Sequence, residues 1–353
     1  MTVRVGVIGC GYWGPNLVRN LLEIGGCEIV ACADRREERR AFMRRRFPSL
    51  DVHDSAESLI DDGSVDAVVV ATPLQTHVPL TERALLAGKH VLVEKPLATG
   101  EADAQHLADL ADRRDRRLMV GHTFLFSGAV QKIRDLTLSG LLGRIYYFES
   151  QRVNLGIFRA DTNVLWDLGP HDVSIMLDCI DREPASVLAV AAPHLPGSYE
   201  NTAYVTMKFE DGMVGFLHLS WLSPVKFRRL VIAGSERMVV YDDAEPSEKV
   251  RIYEHGVSVV DEDDSEHSSE TPPVMGRQYV YRSGDVSIPR LDTREPLLGE
   301  CEEFIRSIEQ NRCPRSDARF AVRVVRVLEA MQRSLVAGGS EIRIEPSRGP
   351  APA

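Results

Sequence analysis

The chain has 353 residues, too many for one ordinary core, and this length fits two domains. Hydrophobic residues make up 44% of the sequence and charged residues 27%, as in an ordinary globular protein, and the formal charge of -10 argues against a nucleic-acid binder. The sequence shows no signal peptide and no apolar run of roughly 18 residues, and its six scattered cysteines lack metal-ligand spacing, so we expect a cytoplasmic protein without a membrane span or a metal.

Short apolar strands alternate with amphipathic helices over the first 122 residues. The predicted strands are 3–8, 28–33, 66–71, 90–94 and 118–120. The predicted helices between them are 16–24, 75–87 and 101–114. This alternation predicts an α/β Rossmann domain, a doubly wound parallel sheet covered on both faces.

The pattern changes after residue 127 to that of an α+β domain with an open, mostly antiparallel sheet. The predicted helices there are 129–139, 166–179, 297–310 and 317–336. The predicted strands are 185–191, 203–209, 213–221, 228–233, 237–241 and 250–253. We therefore divide the chain into a Rossmann domain (1–122), a substrate and oligomerisation domain (123–345) whose late helices pack back on the first, and a tail (346–353). The acidic stretch 261–271 is predicted to be a solvated loop.

The first strand ends in a Gly-x-Gly-x-x-Gly run, Gly9-Cys10-Gly11-Tyr12-Trp13-Gly14. Placed between a strand and an amphipathic helix, this run predicts a dinucleotide site that includes Tyr12 and Trp13. Gly9 allows the tight turn, Gly11 lets the backbone approach a pyrophosphate, and Gly14 permits close helix packing. A purely structural turn is the weaker alternative.

The second predicted strand is followed by Asp34, Arg35 and Arg36. An acid here accepts hydrogen bonds from both ribose hydroxyls of adenosine, which favours NAD. A guanidinium of Arg35 or Arg36 could instead hold a 2′-phosphate, so NADP remains an alternative.

The fifth predicted strand closes on Glu94-Lys95-Pro96. Ligands of parallel sheets bind outside the carboxyl ends of the strands, so Lys95 is predicted to project into the cofactor crevice. Only six of the 42 basic residues are lysine, which makes this placement more informative.

A second group of functional candidates is Asp167 and His171, four residues apart and therefore on one face of a helix. A histidine beside a carboxylate suits general base chemistry near neutral pH. Pro170 is predicted to lie in the first turn of that helix, where its missing N–H costs nothing. Taken alone, the pair could equally be a capping acid and a partly buried histidine.

Taken together, these motifs resemble the Gfo/Idh/MocA oxidoreductases. They are the Gly-rich turn, Ala71-Thr72-Pro73 with His77, Glu94-Lys95-Pro96, and Asp167-x-x-x-His171, in order along nearly the whole chain. The resemblance implies an N-terminal NAD(P) domain and a C-terminal sheet that mediates homodimers or homotetramers.

The resemblance also implies roles for individual residues. Lys95, Asp167 and His171 match the catalytic triad, and the bond before Pro96 is expected to be cis. For the cofactor, Thr72 and Pro73 would line the nicotinamide side and Glu94 its ribose, with His77 in the same set.

The implied reaction is a hydride transfer between nicotinamide and a secondary alcohol or ketone of a sugar. His171 would take the hydroxyl proton, Lys95 would stabilise charge on the same oxygen, and Asp167 would orient both. Ser174 stands where many members of the family carry an aspartate, so substrate contacts do not transfer directly.

The opening run and the segment 163–172 resemble members that act on C3 of a nucleotide-linked hexose in polysaccharide or antibiotic-sugar synthesis. We therefore predict a UDP- or dTDP-sugar as substrate, with Arg152, Asn154 and Arg159 as candidate diphosphate contacts. An inositol or free sugar is the alternative within the class. A non-catalytic NAD(P)-binding regulator is the alternative of another class.

Overall fold

Runs of valine and isoleucine form the strands of an N-terminal sheet, as expected for strands buried on both faces. The computed structural model of the protein describes residues 2–156, 158–159, 162–261 and 277–345. The strands of this sheet are β1 (Val3–Ile8), β2 (Cys27–Ala33), β3 (Asp51–His53), β4 (Ala67–Val70), β5 (His90–Glu94) and β6 (Leu118–Gly121). They pair in parallel in the order β3-β2-β1-β4-β5-β6. The predicted doubly wound sheet is confirmed, and its order reverses between β1 and β4, where such sheets bind ligands.

Helices flank this sheet. They are α1 (Gly14–Leu22), α2 (Glu37–Arg46), α3 (Glu57–Ile60), α4 (His77–Leu86) and α5 (Glu101–Arg113). α2 was not predicted, because Met43 is its one buried side chain and its charged residues leave no apolar stripe. It also did not identify the short strand β3.

The C-terminal half places helices against a second sheet. Its helices are α6 (Gly128–Leu138), α7 (Val164–Ile180), α8 (Pro296–Glu309) and α9 (Ala318–Val336). Its strands are β7 (Ile145–Leu155), β8 (Ser186–Ala192), β9 (Thr202–Lys208), β10 (Val214–Ser220), β11 (Leu222–Gly234), β12 (Met238–Asp242), β13 (Val250–Tyr253), β14 (Gly256–Asp261), β15 (Arg277–Arg282), β16 (Val286–Ser287) and β17 (Ile342–Arg343). Nine of these strands form one sheet in the order β16-β13-β12-β11-β7-β10-β9-β8-β17, and β14 pairs with β15.

The predicted mostly antiparallel sheet is confirmed, with one parallel pairing between β7 and β10. The strand β7 lies in the middle of the sheet and was not predicted. Its buried positions include Ser150 and Arg152, so its sequence lacks the apolar run that predicts a buried strand.

The prediction for Pro170 is wrong: it lies inside α7 and not in its first turn. The helix begins at Val164, where the Asn163 side chain caps it by accepting a hydrogen bond from the Trp166 amide at 3.2 Å. A proline in this position removes one helical hydrogen bond, at a cost of about 3 kcal/mol.

The late helices connect the two sheets. α8 packs against α1 and the short helical segment Thr123–Phe126, and α9 packs against α5, α7 and β8. The predicted boundary after residue 122 falls just past the end of β6 and remains a prediction.

Two predicted segments lie outside the described residues. These are most of the acidic stretch 261–271 and the tail from 346. Among the helices that the structure describes, none has the length and apolar character needed to cross a membrane. The described ranges also contain no cluster of three or more His, Cys, Asp or Glu side chains arranged to hold a metal ion.

Candidate active site

The turn between β1 and α1 contains three glycines with different surroundings. A Cβ on Gly9, whose φ is +96°, would lie 2.5 Å from the carbonyl oxygen of Ala71. A Cβ on Gly14 would lie 2.1 Å from the Gly9 carbonyl oxygen. At Gly11 the nearest atom is 3.9 Å away, on the Arg36 guanidinium. The turn itself therefore requires Gly9 and Gly14, whereas Gly11 leaves space for a ligand beside the backbone.

The N-terminus of α1 adjoins this space. The first amides of a helix have no partner within it and form an anion-binding site, and the side chain of the N-cap residue Trp13 does not cap this end. Tyr12 is 78% exposed and meets the half-exposed Trp13 ring edge to face, with centroids 5.2 Å apart. The turn thus has the exposure and the donors that a dinucleotide phosphate requires.

Asp34 follows β2 at the same edge of the sheet. Its carboxylate accepts hydrogen bonds from the Cys10 amide at 2.8 Å and the Arg36 amide at 2.9 Å, and it pairs with the Arg36 guanidinium at 3.2 Å. Burial opposes ionisation, but the bonds from Arg36 and Cys10 outweigh it and lower the pKa of Asp34. Arg36 is therefore paired with the acid, while Arg35 is exposed.

His77 joins the loop after β4 to the loop after β5. Its Nδ1 lies 2.8 Å from the Pro96 carbonyl oxygen and its Nε2 lies 2.9 Å from the Thr72 carbonyl oxygen. Thr72 is also held by a hydrogen bond from the Thr76 hydroxyl at 2.7 Å, and Pro73 begins the short helical turn Leu74–Thr76. Both ring nitrogens of the buried His77 face main-chain oxygens, so it positions the two loops and leaves no nitrogen free for a cofactor.

Lys95 follows β5, and its bond to Pro96 is cis, as the family resemblance implied. Its Nζ donates a hydrogen bond to the main-chain oxygen of Asp167 at 2.8 Å. Burial lowers the pKa of Lys95, against the opposing effects of Asp167 and Glu94. Burial also raises the pKa of Glu94 to about 7.

The Asp167 carboxylate is held by Trp221, which was not predicted as a site residue, and by Arg159, which was predicted only as a candidate diphosphate contact. Its Oδ2 accepts a hydrogen bond from the Trp221 indole at 3.0 Å, and its Oδ1 lies 3.6 Å from the half-exposed Arg159 guanidinium. Asp167 therefore contacts Lys95 through its main chain. It acts on the Lys95 ammonium through charge and not through a side-chain hydrogen bond.

His171 lies one turn further along α7. Its ring meets Phe124 edge to face with centroids 5.1 Å apart, and the Ser174 hydroxyl donates to its main-chain oxygen at 2.9 Å. Burial, followed by the positive charges of Lys95 and Arg152, places the pKa of His171 well below its usual range. His171 is therefore a neutral imidazole at neutral pH, the form that can accept a proton.

The prediction that Arg152 meets a diphosphate is wrong. Its guanidinium is buried and bound by both oxygens of Asp172, at 2.8 and 3.0 Å, and Ser150 donates to the same carboxylate at 2.8 Å. The guanidinium also lies over the Phe124 ring, 4.5 Å from its centroid. A buried arginine requires such a partner, and Asp172, next to His171, was the signal that could have indicated it.

The site thus combines a neutral imidazole, a buried ammonium and a dinucleotide turn from separate parts of the chain. Lys95 comes from the first sheet, and Asp167 and His171 come from a helix of the second half. The structure brings Lys95 and Asp167 into contact and places charged Lys95 close enough to His171 to affect its pKa. A base and a fixed cation in a protein with a dinucleotide turn suit hydride transfer at an alcohol.

Comparison with known protein families agrees with this geometry. Residues 3–122 match the model of the Gfo/Idh/MocA oxidoreductase family with an NAD-binding Rossmann fold. Residues 130–240 match the model of a C-terminal domain of the same family.

Individual relatives cover different shares of the chain. An inositol 2-dehydrogenase from Saccharopolyspora erythraea is 31% identical over 61% of this chain, a match that spans just under two thirds (65%) of the relative's length. A UDP-N-acetylglucosamine 3-dehydrogenase from Acidithiobacillus ferrooxidans is 28% identical over 88% of this chain and 90% of its own. The solved structure of a UDP-N-acetylglucosamine 3-dehydrogenase from that organism superimposes with a TM-score of 0.78 at 25% identity, over 96% of this chain and 98% of its own.

Proposed function

The chain belongs to the Gfo/Idh/MocA family of NAD-dependent oxidoreductases, and on that premise we propose that it oxidises or reduces a secondary alcohol of a nucleotide-linked hexose. The observation that carries the proposal is the convergence of Lys95 with Asp167 beside a neutral His171. We assign residues 1–122 to cofactor binding and residues 123–345 to substrate binding and assembly.

The cofactor is assigned to the groups that fit a dinucleotide. Gly9, Gly11 and Gly14, with Tyr12 and Trp13, would receive the pyrophosphate, and Asp34 would bind the adenosine ribose. Glu94, with Thr72 and Pro73, would face the nicotinamide end. When bound, NAD accepts or returns the hydride.

Residues of the protein accept the substrate's proton and stabilise the charge that develops on its oxygen. In the oxidation direction His171 accepts the proton of the substrate hydroxyl, which its neutral form allows. Lys95 donates a hydrogen bond to the same oxygen and stabilises the negative charge that develops there. Asp167 holds Lys95 through its main-chain oxygen and balances its charge through the nearby carboxylate.

The substrate assignment draws support from two relatives. The UDP-N-acetylglucosamine 3-dehydrogenase matches almost the full chain, and a dTDP-3,4-didehydro-2,6-dideoxy-alpha-D-glucose 3-reductase from Streptomyces violaceoruber is 35% identical over 40% of this chain. The remaining candidates for a diphosphate contact are Asn154 and Arg159, and the Arg159 side chain is 52% exposed. The second candidate is an inositol, favoured by relatives such as the Saccharopolyspora enzyme.

The test is cofactor turnover by the purified protein with UDP- and dTDP-hexoses, free hexoses and inositols, each with NAD and with NADP. We expect turnover with NAD and a nucleotide sugar. Turnover with inositols alone would mean that the substrate is an inositol, and the proposed mechanism would remain unchanged. Binding of NADH without turnover in either direction would favour the non-catalytic regulator, for which Lys95→Ala would change nothing.

Assembly into dimers or tetramers is part of the same proposal. One face of the C-terminal sheet exposes Val190, Tyr204 and Phe216, each between 41% and 57% exposed. The Tyr204 ring stacks on the His218 imidazole with centroids 4.2 Å apart. Apolar side chains grouped on one sheet face suit burial against a second copy. Light scattering of the purified protein measures the assembly directly.

A further inference from the structure

The imidazole of His171, the proposed base, lacks the side-chain hydrogen bond that usually orients such a ring. In many catalytic histidines a carboxylate or a main-chain oxygen holds one ring nitrogen, and the other nitrogen then faces the substrate. Within the described ranges, His171 forms a hydrogen bond through its main-chain oxygen, to Ser174, and none through either ring nitrogen. The nearby Asp167 carboxylate is bonded to Trp221 instead. The orientation of the imidazole therefore depends on packing.

The aromatic ring that packs against His171 is that of Phe124. The two ring centroids lie 5.1 Å apart and the ring planes meet at 71°, the edge-to-face arrangement that aromatic pairs prefer. Phe124 lies in the short helical segment Thr123–Phe126 and is half-buried against the hydrophobic core. Its main-chain oxygen accepts a hydrogen bond from the Ser127 amide at 3.1 Å. The main chain that carries this ring is therefore held in place.

The Phe124 ring also contacts a fixed guanidinium. Cζ of Arg152 lies 4.5 Å from the centroid of the ring, within the range of a cation–π interaction. Both carboxylate oxygens of Asp172 accept hydrogen bonds from this guanidinium, at 2.8 and 3.0 Å. Asp172 directly follows His171 on α7. The contacts thus run from Asp172 through Arg152 and Phe124 back to His171, and they tie the Phe124 ring to the helical turn that carries the base.

We propose that Phe124 is a positioning residue of the base, which holds the His171 imidazole in the plane where one ring nitrogen faces the substrate hydroxyl. The inference rests on the proposed function, because His171 acts as a base only if the protein transfers hydride to or from an alcohol. Proton transfer requires the accepting nitrogen at the right distance and direction, so an imidazole that turns freely accepts the proton less often.

Two variants and one control separate this role from a purely structural one. Phe124→Leu removes the aromatic ring and keeps an apolar side chain, whereas Phe124→Tyr keeps the ring. Phe126→Leu is the matched control, because Phe126 belongs to the same helical segment and is buried. Its Cβ lies 3.5 Å from the point that a Cβ on Gly299 would occupy, so this side chain lies beside α8.

The first readout is the mobility of the His171 ring, measured by NMR relaxation in protein that contains isotope-labelled histidine. His171→Asn identifies the His171 signal. We expect a rigid ring in the wild type, Phe124→Tyr and Phe126→Leu, and a mobile ring in Phe124→Leu. A ring that is equally rigid in Phe124→Leu would overturn the proposal. This measurement requires no substrate, so its result stands even if the proposed hydride transfer fails.

The second readout separates kcat from KM. Phe124→Leu should lower kcat by about tenfold to a hundredfold, with the KM of the sugar and the affinity for NADH within about threefold of the wild type. Phe124→Tyr and Phe126→Leu should keep kcat within about threefold of the wild type, because both retain the ring beside His171.

Two kinetic outcomes would contradict the positioning role. A raised KM at unchanged kcat in Phe124→Leu would mean that Phe124 contacts the substrate and does not act through His171. An equal fall in kcat in Phe126→Leu would mean that the helical segment as a whole is required. If Phe124→Leu does not fold, Phe124→Met, which also lacks an aromatic ring, takes its place in both measurements.

Discussion

Lys95 and Asp167 meet through the main chain of Asp167: the Lys95 ammonium donates to its carbonyl oxygen at 2.8 Å, while its carboxylate accepts the Trp221 indole at 3.0 Å. Two functions of one aspartate are thereby separated. The main chain fixes where the ammonium lies, and the carboxylate sets the electrostatic potential around it. A change to the carboxylate can therefore alter the charge without moving the lysine.

The first prediction follows from this separation. Asp167→Asn should keep Lys95 in place and remove the charge that raises its pKa, so Lys95 should lose its proton at a lower pH. We expect a fall in kcat of about tenfold to a hundredfold, with the alkaline limb of the kcat/KM profile shifted to lower pH. Trp221→Phe, which removes the indole donor and keeps the charge, is the control. An unchanged alkaline limb in Asp167→Asn would show that the carboxylate does not set the charge state of Lys95.

The second prediction concerns the base. Because the pKa of His171 lies well below its usual value, the neutral form dominates down to acidic pH. As far as His171 is concerned, the rate of oxidation should therefore not fall between pH 7 and pH 6. His171→Asn should lower kcat by about 10²- to 10⁴-fold and leave NADH binding intact. An acid limb at the ordinary histidine pKa would contradict the assignment of His171 as a buried neutral base.

The third prediction tests the contact between the two loops at His77. Burial lowers the pKa of His77, so its neutral ring donates one N–H to either the Thr72 or the Pro96 carbonyl oxygen. The shorter side chain of His77→Asn loses that hydrogen bond and the ring that lies between the two loops. We expect a loss of about 1–3 kcal/mol in the free energy of unfolding and a raised KM for NAD. His106→Asn is the matched control, because that ring is half exposed and bonds to the surface residue Glu82. Equal stability of the two variants would refute the positioning role of His77.

The fourth prediction concerns the buried ion pair of Arg152 and Asp172. Arg152→Met should destabilise the protein by about 3–5 kcal/mol, since it leaves the Asp172 carboxylate buried without its guanidinium. The double variant with Asp172→Leu should recover part of that loss. Arg159→Met, at an exposed position, should cost far less. Denaturant unfolding of the wild type, Arg152→Met, Asp172→Leu and the double variant measures the coupling, and strictly additive losses would contradict it.

Most local features of this protein could be predicted from the sequence. Runs of valine and isoleucine indicated most of the parallel strands, and the spacing of the glycines identified the turn. The prediction from sequence was wrong or incomplete where a strand or helix departs from the usual residue preferences. β7 buries Ser150 and Arg152 within a central strand, and α7 carries Pro170 in its interior, because tertiary packing outweighs both preferences.

The sequence by itself determined the parallel sheet and the dinucleotide turn, because each follows from a short run with its own periodicity or motif. The proposed roles of Lys95, Asp167 and His171 came from the family resemblance of all the motifs together. Only the tertiary structure decided what surrounds them. Lys95 donates to the main chain of Asp167, and the Trp221 indole donates to its carboxylate, across long stretches of chain. No local pattern specifies such contacts, because a buried polar group acquires its partner only when the helices and sheets pack together.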